Sequence, residues 1–177
     1  MAHLFRPFAH AKSIYDIELD FFKKMGVEIL LIDLDNTLDS YKLFHPTERA
    51  IKLIKDIQEM GIKPVIVSNN RGKRVRTYAN DLGIEYINSC AKPFPFKINK
   101  YIKKNNYDKS KMMLVGDQMM TDCAAANNAK LRIVLTDKIV KEDQWTTHIN
   151  RIFGRPIRKH QMKKGRMPDW RTFYGKD

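Results

Sequence analysis

EILLIDLDNTLDS, residues 28–40, begins as an unbroken apolar run and ends in the carboxylates Asp33, Asp35 and Asp39. An apolar run without alternation is the signature of a strand covered on both faces of a parallel sheet. Carboxylates two residues apart repel each other and are costly to desolvate. Their place at the end of a buried segment therefore points to a cation, a phosphate group, or both.

The same pattern recurs downstream. Strands are predicted over 28–33, 64–68 (PVIVS), 85–88 (EYIN), 112–116 (MMLVG) and 131–135 (LRIVL). Helices are predicted between them: near 47–60, started by Pro46-Thr47, stopped by Gly61 and with Ile51, Ile54 and Ile57 on its apolar face; over 72–82, stopped by Gly83; and over 95–105 and 119–128. Strands and helices alternating at these short spacings specify a doubly wound, parallel α/β sheet. Open sheets of this kind bind ligands outside the carboxyl ends of their strands. Asp33, the Ser68-Asn69-Asn70 trio, Lys92 and Asp117 all follow such ends, so their loops should converge on one crevice.

Composition narrows the class. The chain has 177 residues, 43% of them hydrophobic, enough for one domain with a proper core. No apolar run approaches the roughly 20 residues of a membrane-spanning helix. The first 20 residues have neither a continuous apolar core nor a small-residue cleavage site, so they do not read as a secretion signal. Two cysteines, Cys90 and Cys123, read as free thiols in a reducing cytoplasm. The net charge is +13, and residues 147–177 hold nine Lys or Arg against Asp169 and Asp177. Such a tail is either a solvated terminus or a contact for an anionic neighbour. It begins after Trp145 and carries Ile149, Ile152 and Phe153 at helical spacing before Gly154 and Pro156 interrupt it.

The convergent residues suit phosphoryl transfer, in which an anionic group must be screened before a carboxylate can attack it. Asp33 is the candidate nucleophile, forming an aspartyl-phosphate. Asp35 is the candidate acid and base. Ser68 and the backbone around Asn69 would donate hydrogen bonds to the phosphoryl oxygens, and Lys92 would supply fixed positive charge. Asp117 and Asp122, within GDQMMTD, would help hold magnesium, a hard ion that prefers oxygen ligands. A calcium loop starting at Asp33 would need Gly and Glu where Leu38 and Phe44 stand, so that reading fails. Asp39 reads as a plain turn acid. Asn36 and Thr37 read as residues that fix the loop. Met112, Met113, Met119 and Met120 read as core fillers, and His45 and His148 lack partners at metal-ligand spacing.

Taken in order, DLDNT at 33–37, SNN at 68–70, KP at 92–93 and GDQMMTD at 116–122 resemble the four motifs of the haloacid dehalogenase (HAD) superfamily. More narrowly they resemble its subfamily IIIA, YqeG-type branch, which is related to phosphatidylglycerophosphate phosphatases. The resemblance spans roughly residues 5–165. It implies a Rossmann-like three-layer fold around a mostly parallel sheet, a magnesium cofactor and Asp33 as nucleophile. It also implies Asp35 as acid and base, with its backbone carbonyl on the metal, and phosphate-ester hydrolysis rather than dehalogenation.

The gaps 39–63 and 71–91 each hold about one helix, too little for a lid, so a capless and open site is expected. An open site suits a bulky substrate such as a lipid head group, a protein or a nucleic-acid end. The expected layout is a phosphatase core over 1–146 with a helical lead-in, followed by a basic helix or tail over 147–177. Three readings follow. The first is a magnesium-dependent phosphatase of phosphatidylglycerophosphate, cytoplasmic or peripheral at the inner face of a membrane. The second is a phosphatase of a soluble metabolite or nucleic-acid phosphate. The third is an RNA- or ribosome-associated binding protein with a vestigial site.

Overall fold

The computed structural model describes residues 3–139 and 148–174, with backbone alone for 148–153 and 174. Trp145 and the side chains of Ile149, Ile152 and Phe153 lie outside the described residues. Strands β1 (Ala9–Ala11), β2 (Ile29–Ile32), β3 (Lys63–Val67), β4 (Glu85–Ile87), β5 (Met112–Gly116) and β6 (Arg132–Thr136) form one sheet in the order β1-β6-β5-β2-β3-β4. All neighbouring pairs are parallel, with Leu31 opposite Leu114 on one side and Val65 on the other. The chain winds outward from β2 through β3 to β4, then crosses back to β5. The reversal point therefore lies between β2 and β5, which is where such sheets bind ligands.

Two apolar layers flank the sheet. Helices α1 (Leu19–Lys24), α2 (Glu48–Glu59), α3 (Lys73–Leu82) and the short α7 (Arg171–Tyr174) lie on one side, where Phe21, Ile54, Ile57, Val75 and Tyr78 meet Leu30, Ile32 and Val115. Helices α4 (Phe96–Lys104), α5 (Ala124–Ala129) and α6 (His148–Lys163) lie on the other, where Ile98, Ile102, Ala125 and Ile157 meet Leu31, Val65 and Leu114. Alternate residues of β2 thus face opposite layers, which is why its sequence shows no polar alternation. Among the described residues, no helix is long and apolar enough to cross a membrane.

The helix ends follow local chemistry. The Thr47 side chain accepts from the Ala50 N–H at the start of α2, and Gly83 closes α3 in the left-handed region at φ 65°. Four expectations need correction. Ile51 is 47% exposed, because the buried stripe of α2 runs through Ala50, Leu53, Ile54 and Ile57. The predicted 119–128 helix opens with a wide π-type turn over Met119–Cys123 before α5 begins. The lead-in is not only helical: Ala9–Ala11 adds the edge strand beside β6. Gly154 and Pro156 do not break α6, which runs through both. A proline within a helix deletes one backbone donor and crowds one carbonyl; here the flanking turns and the packing of α6 on the π-type turn carry the helix past it.

Residues 168–170 lie along β1. The His10 N–H donates to the Pro168 carbonyl (2.8 Å) and the Trp170 N–H to the His10 carbonyl (3.0 Å). The Trp170 ring is buried edge-on against Phe21.

Candidate active site

Asp33 continues β2 by one residue, its N–H donating to the Val115 carbonyl at 2.9 Å. This seats its carboxylate beside the end of β5, next to Asp117. The Asp33, Asp117 and Asp122 carboxylates are buried and offer oxygens within 4.8 Å of one another. Lys92 enters from the loop after β4, its Nζ donating to Asp33 Oδ1 (2.5 Å), Asp122 Oδ1 (2.6 Å) and the Val67 carbonyl (3.0 Å). Three carboxylates thus share one buried ammonium, with Lys138 nearby as a further positive charge on Asp117. Asp117 Oδ2 is buried without a hydrogen-bond partner, a costly arrangement unless a further cation belongs there.

The electrostatics follow from that crowding. Burial, and then the Asp122, Asp117 and Asp35 carboxylates, push the Asp33 carboxyl well above its usual range against the pull of Lys92. Burial and Asp122 push Asp117 up to about 7. Burial alone would lower the Lys92 ammonium, but Asp122 and Asp33 outweigh it and hold it above the ordinary lysine range.

Each member has a local reason for its position. The π-type turn brings Asp122 back so that its Oδ2 accepts from the Gln118 N–H at 3.0 Å. Gly116 makes that return fit, since a Cβ there would lie 2.6 Å from Asp122 Cβ and Cγ. Asn69 clamps the Lys92 backbone in both directions, accepting from its N–H (2.7 Å) and donating to its carbonyl (3.0 Å), ahead of a cis Lys92–Pro93 bond. The Asn69 side chain is therefore occupied in shaping the loop. Ser68 Oγ accepts from the Asn70 N–H at 3.1 Å.

Asp35 stands apart from the carboxylate cluster. Its side chain is partly exposed and pairs with Arg74. Arg74 also donates to the Leu43 carbonyl (2.5 Å) and the Ser40 carbonyl (3.0 Å), pinning the loop after β2 onto α3. Sequence reasoning missed Arg74; the signal available was a basic residue on the apolar face of α3, beside Val75 and Tyr78. Thr37 reaches the carboxylate cluster, its hydroxyl between Asp33 Oδ2 (3.3 Å) and Asp117 Oδ1 (3.4 Å). Asp39 is no plain turn acid. It is buried and accepts from the Thr47 N–H (2.9 Å), the Thr47 hydroxyl and the Tyr78 hydroxyl (2.6 Å), tying the loop to α2 and α3.

Beside Asp117 lies a pocket of about 230 Å³, bounded by Met119, Met120, Gly154, Arg155 and Arg158.

Residues 8–130 match the haloacid dehalogenase-like hydrolase family. The protein named Probable phosphatase YqeG of Bacillus subtilis (strain 168) is 31% identical over 161 residues, spanning 91% of this chain and 94% of its own. Two solved structures share the fold at low identity. The 3-deoxy-D-manno-octulosonate 8-phosphate phosphatase of Yersinia pestis has a TM-score of 0.53 at 15% identity, over 72% of this chain and 83% of that one. The cobalt-bound deoxy-D-mannose-octulosonate 8-phosphate phosphatase of Haemophilus influenzae has a TM-score of 0.50 at 15% identity, over 66% and 81%. With half the chain and more matched by one family and nearly all of it by one relative, the chain belongs to the haloacid dehalogenase-like hydrolases, among the YqeG-type phosphatases of that family.

Proposed function

We propose that this chain is a magnesium-dependent phosphatase that hydrolyses a phosphate monoester through an aspartyl-phosphate on Asp33. The observation that carries the reading is the buried Asp33, Asp117 and Asp122 cluster, with Lys92 bound to Asp33 and Asp122, Lys138 acting on Asp117 through space, and Asp117 Oδ2 buried without a hydrogen-bond partner. All three donors are hard carboxylate oxygens, the set that suits magnesium, with the Asp35 carbonyl as a further donor implied by the family motif. When bound, the metal supplies positive charge to screen the phosphoryl oxygens.

The chain's own residues do the rest. An Asp33 carboxylate oxygen attacks phosphorus and the bond to the ester oxygen breaks; that oxygen leaves with a proton from Asp35. A water then gives a proton to Asp35 and attacks the same phosphorus. The bond to Asp33 breaks, phosphate departs and both carboxyls are restored. Lys92 offsets charge on Asp33, and Ser68 with the backbone at Asn69 orients the phosphoryl oxygens. Arg74 fixes the Asp35 carboxyl at the boundary between the buried cluster and solvent, where it can reach both leaving group and water. The pocket beside Asp117 gives room to the part of the substrate left behind.

Phosphatidylglycerophosphate is the first substrate to try, supported by the resemblance to the branch related to its phosphatases and by the lack of a lid domain among the described residues. Phosphate release from it in mixed micelles with magnesium is the test, with Asp33→Asn as the blank. Turnover should fall roughly a thousandfold or more in that variant while its fold is kept. Full activity in Asp33→Asn would sink the mechanism. Turnover of a small aryl phosphate without the lipid would keep the phosphatase and redirect the substrate to a soluble or nucleic-acid phosphate.

A further inference from the structure

Six large apolar side chains are exposed among the described residues, and four of them, Leu43, Phe44, Phe94 and Phe96, belong to two stretches at the carboxyl edge of the sheet. These stretches flank the candidate site. Phe94 and Phe96 follow Lys92 directly, are 57% and 72% exposed, and stack with ring centroids 5.9 Å apart at 12°. Pro93 and Pro95 restrict the backbone between them. Leu43 and Phe44 sit on the loop that Arg74 pins through the Leu43 carbonyl. Exposed apolar groups placed this way on held backbone are costly in water and mark an interaction surface.

Charge identifies the partner. Lys42, Arg71, Lys73 and Lys97 are exposed on the same loops and helix starts. Against them stand Glu48, in the first turn of α2, Asp81, which His45 of the same loop holds, and Asp137, which Arg158 already pairs. A second copy of a +13 chain would bring like charges together. A nucleic acid would stack bases on open aromatic faces, whereas Phe94 and Phe96 stack on each other at 5.9 Å and 12° and keep only their outer faces open. We propose that this rim seats on an anionic lipid bilayer, with Phe94 and Phe96 entering the acyl boundary and the cations meeting the headgroups. The proposal deepens the phosphatase reading and rests on it for its purpose, since it turns the open site toward a phosphate presented from the membrane.

The experiment uses the full chain and vesicles of phosphatidylcholine with about 30 mol% phosphatidylglycerol, beside pure phosphatidylcholine. Wild type should cosediment with the anionic vesicles alone and be released as salt rises to about 0.5 M. Phe94→Ser with Phe96→Ser should partition about tenfold more weakly, with aryl phosphate turnover unchanged. A Phe96→Trp protein should show a blue shift with anionic vesicles beyond any seen in wild type. Equal vesicle binding by the double variant, or no such shift, overturns the proposal. So does binding of single-stranded RNA, or self-association, that the same two substitutions abolish while vesicles are ignored. Vesicle binding lost in the double variant, with no phosphate turnover in wild type, upholds the surface and fails the phosphatase reading instead.

Discussion

Gly116→Ala tests whether the site depends on the close approach of β5 to Asp122. The added Cβ would lie 2.6 Å from Asp122 Cβ and Cγ and 2.9 Å from Oδ2. Relief to ordinary contact requires a shift of about 1 Å. Asp122 is buried and tied at both oxygens, to Lys92 Nζ at 2.6 Å and to the Gln118 N–H at 3.0 Å, so it cannot move without loosening both. Overpacking of this kind costs about 1–3 kcal/mol, and a weakened charged hydrogen bond about 1.5–3 kcal/mol. Because the two share one displacement, we expect roughly 2–4 kcal/mol in urea unfolding rather than their sum. For a chain of this size that is a Tm lower by roughly 5–15 °C.

The second readout is metal. A ligand at about one hundred times its Kd stabilises the native state by about 2.7 kcal/mol. Magnesium should therefore raise the Tm of wild type and do so far less in Gly116→Ala, whose Asp122 is displaced. A variant within about 0.5 kcal/mol of wild type, with an undiminished magnesium shift, would refute the argument that Gly116 makes room for Asp122.

Further outcomes follow from the same contacts. Lys92→Met leaves Asp33 and Asp122 buried without their cation and should cost about 3–5 kcal/mol in metal-free urea melts; a loss below 1 kcal/mol would mean the pair is not buried as described. Arg74→Lys cannot hold Asp35 and the Ser40 and Leu43 carbonyls at once. It should lower kcat by roughly tenfold and leave KM near wild type. Asp39→Asn removes the charge that four donor groups share on Thr47, Tyr78 and Arg49, so the melt should fall by about 1–3 kcal/mol while turnover per folded molecule stays the same.

The four central strands were legible because they are buried on both faces, so hydrophobic runs alone mark them. The convergence of Asp33, Ser68, Lys92 and Asp117 followed from parallel topology without any knowledge of contacts. What stayed hidden depends on tertiary placement. Ala9–Ala11 is three small or polar residues and pairs only because β6 needs an edge partner. Thr37 and Arg74 belong to the candidate site through distances between segments 80 and 39 residues apart, to Asp117 and Asp35 respectively. Asp39 reads as solvent-facing until α2 and α3 close over it. The π-type turn differs from an ordinary helix start by one widened ring, and a hydrophobic period cannot register that difference.

The basic C-terminal segment shows why charge does not locate a chain. Counted as charge, it could trail in solvent. In the fold, Arg158 donates to the Thr136 carbonyl at 3.0 Å and pairs with Asp137, fastening α6 beside the ends of β5 and β6. Trp170, 1% exposed, fills the layer against Phe21, and truncating such a ring to Ala costs about 3–5 kcal/mol. Cutting the chain after Trp145 would remove both, so its first effect would be on folding, and a loss of anion binding in that truncation could not be assigned to charge. Neutralising the exposed Arg155, Lys159, Lys163 and Lys164 separates the two effects. Substitutions at such positions move stability within about 0.5 kcal/mol, so any fall in salt-sensitive binding there belongs to the charges themselves.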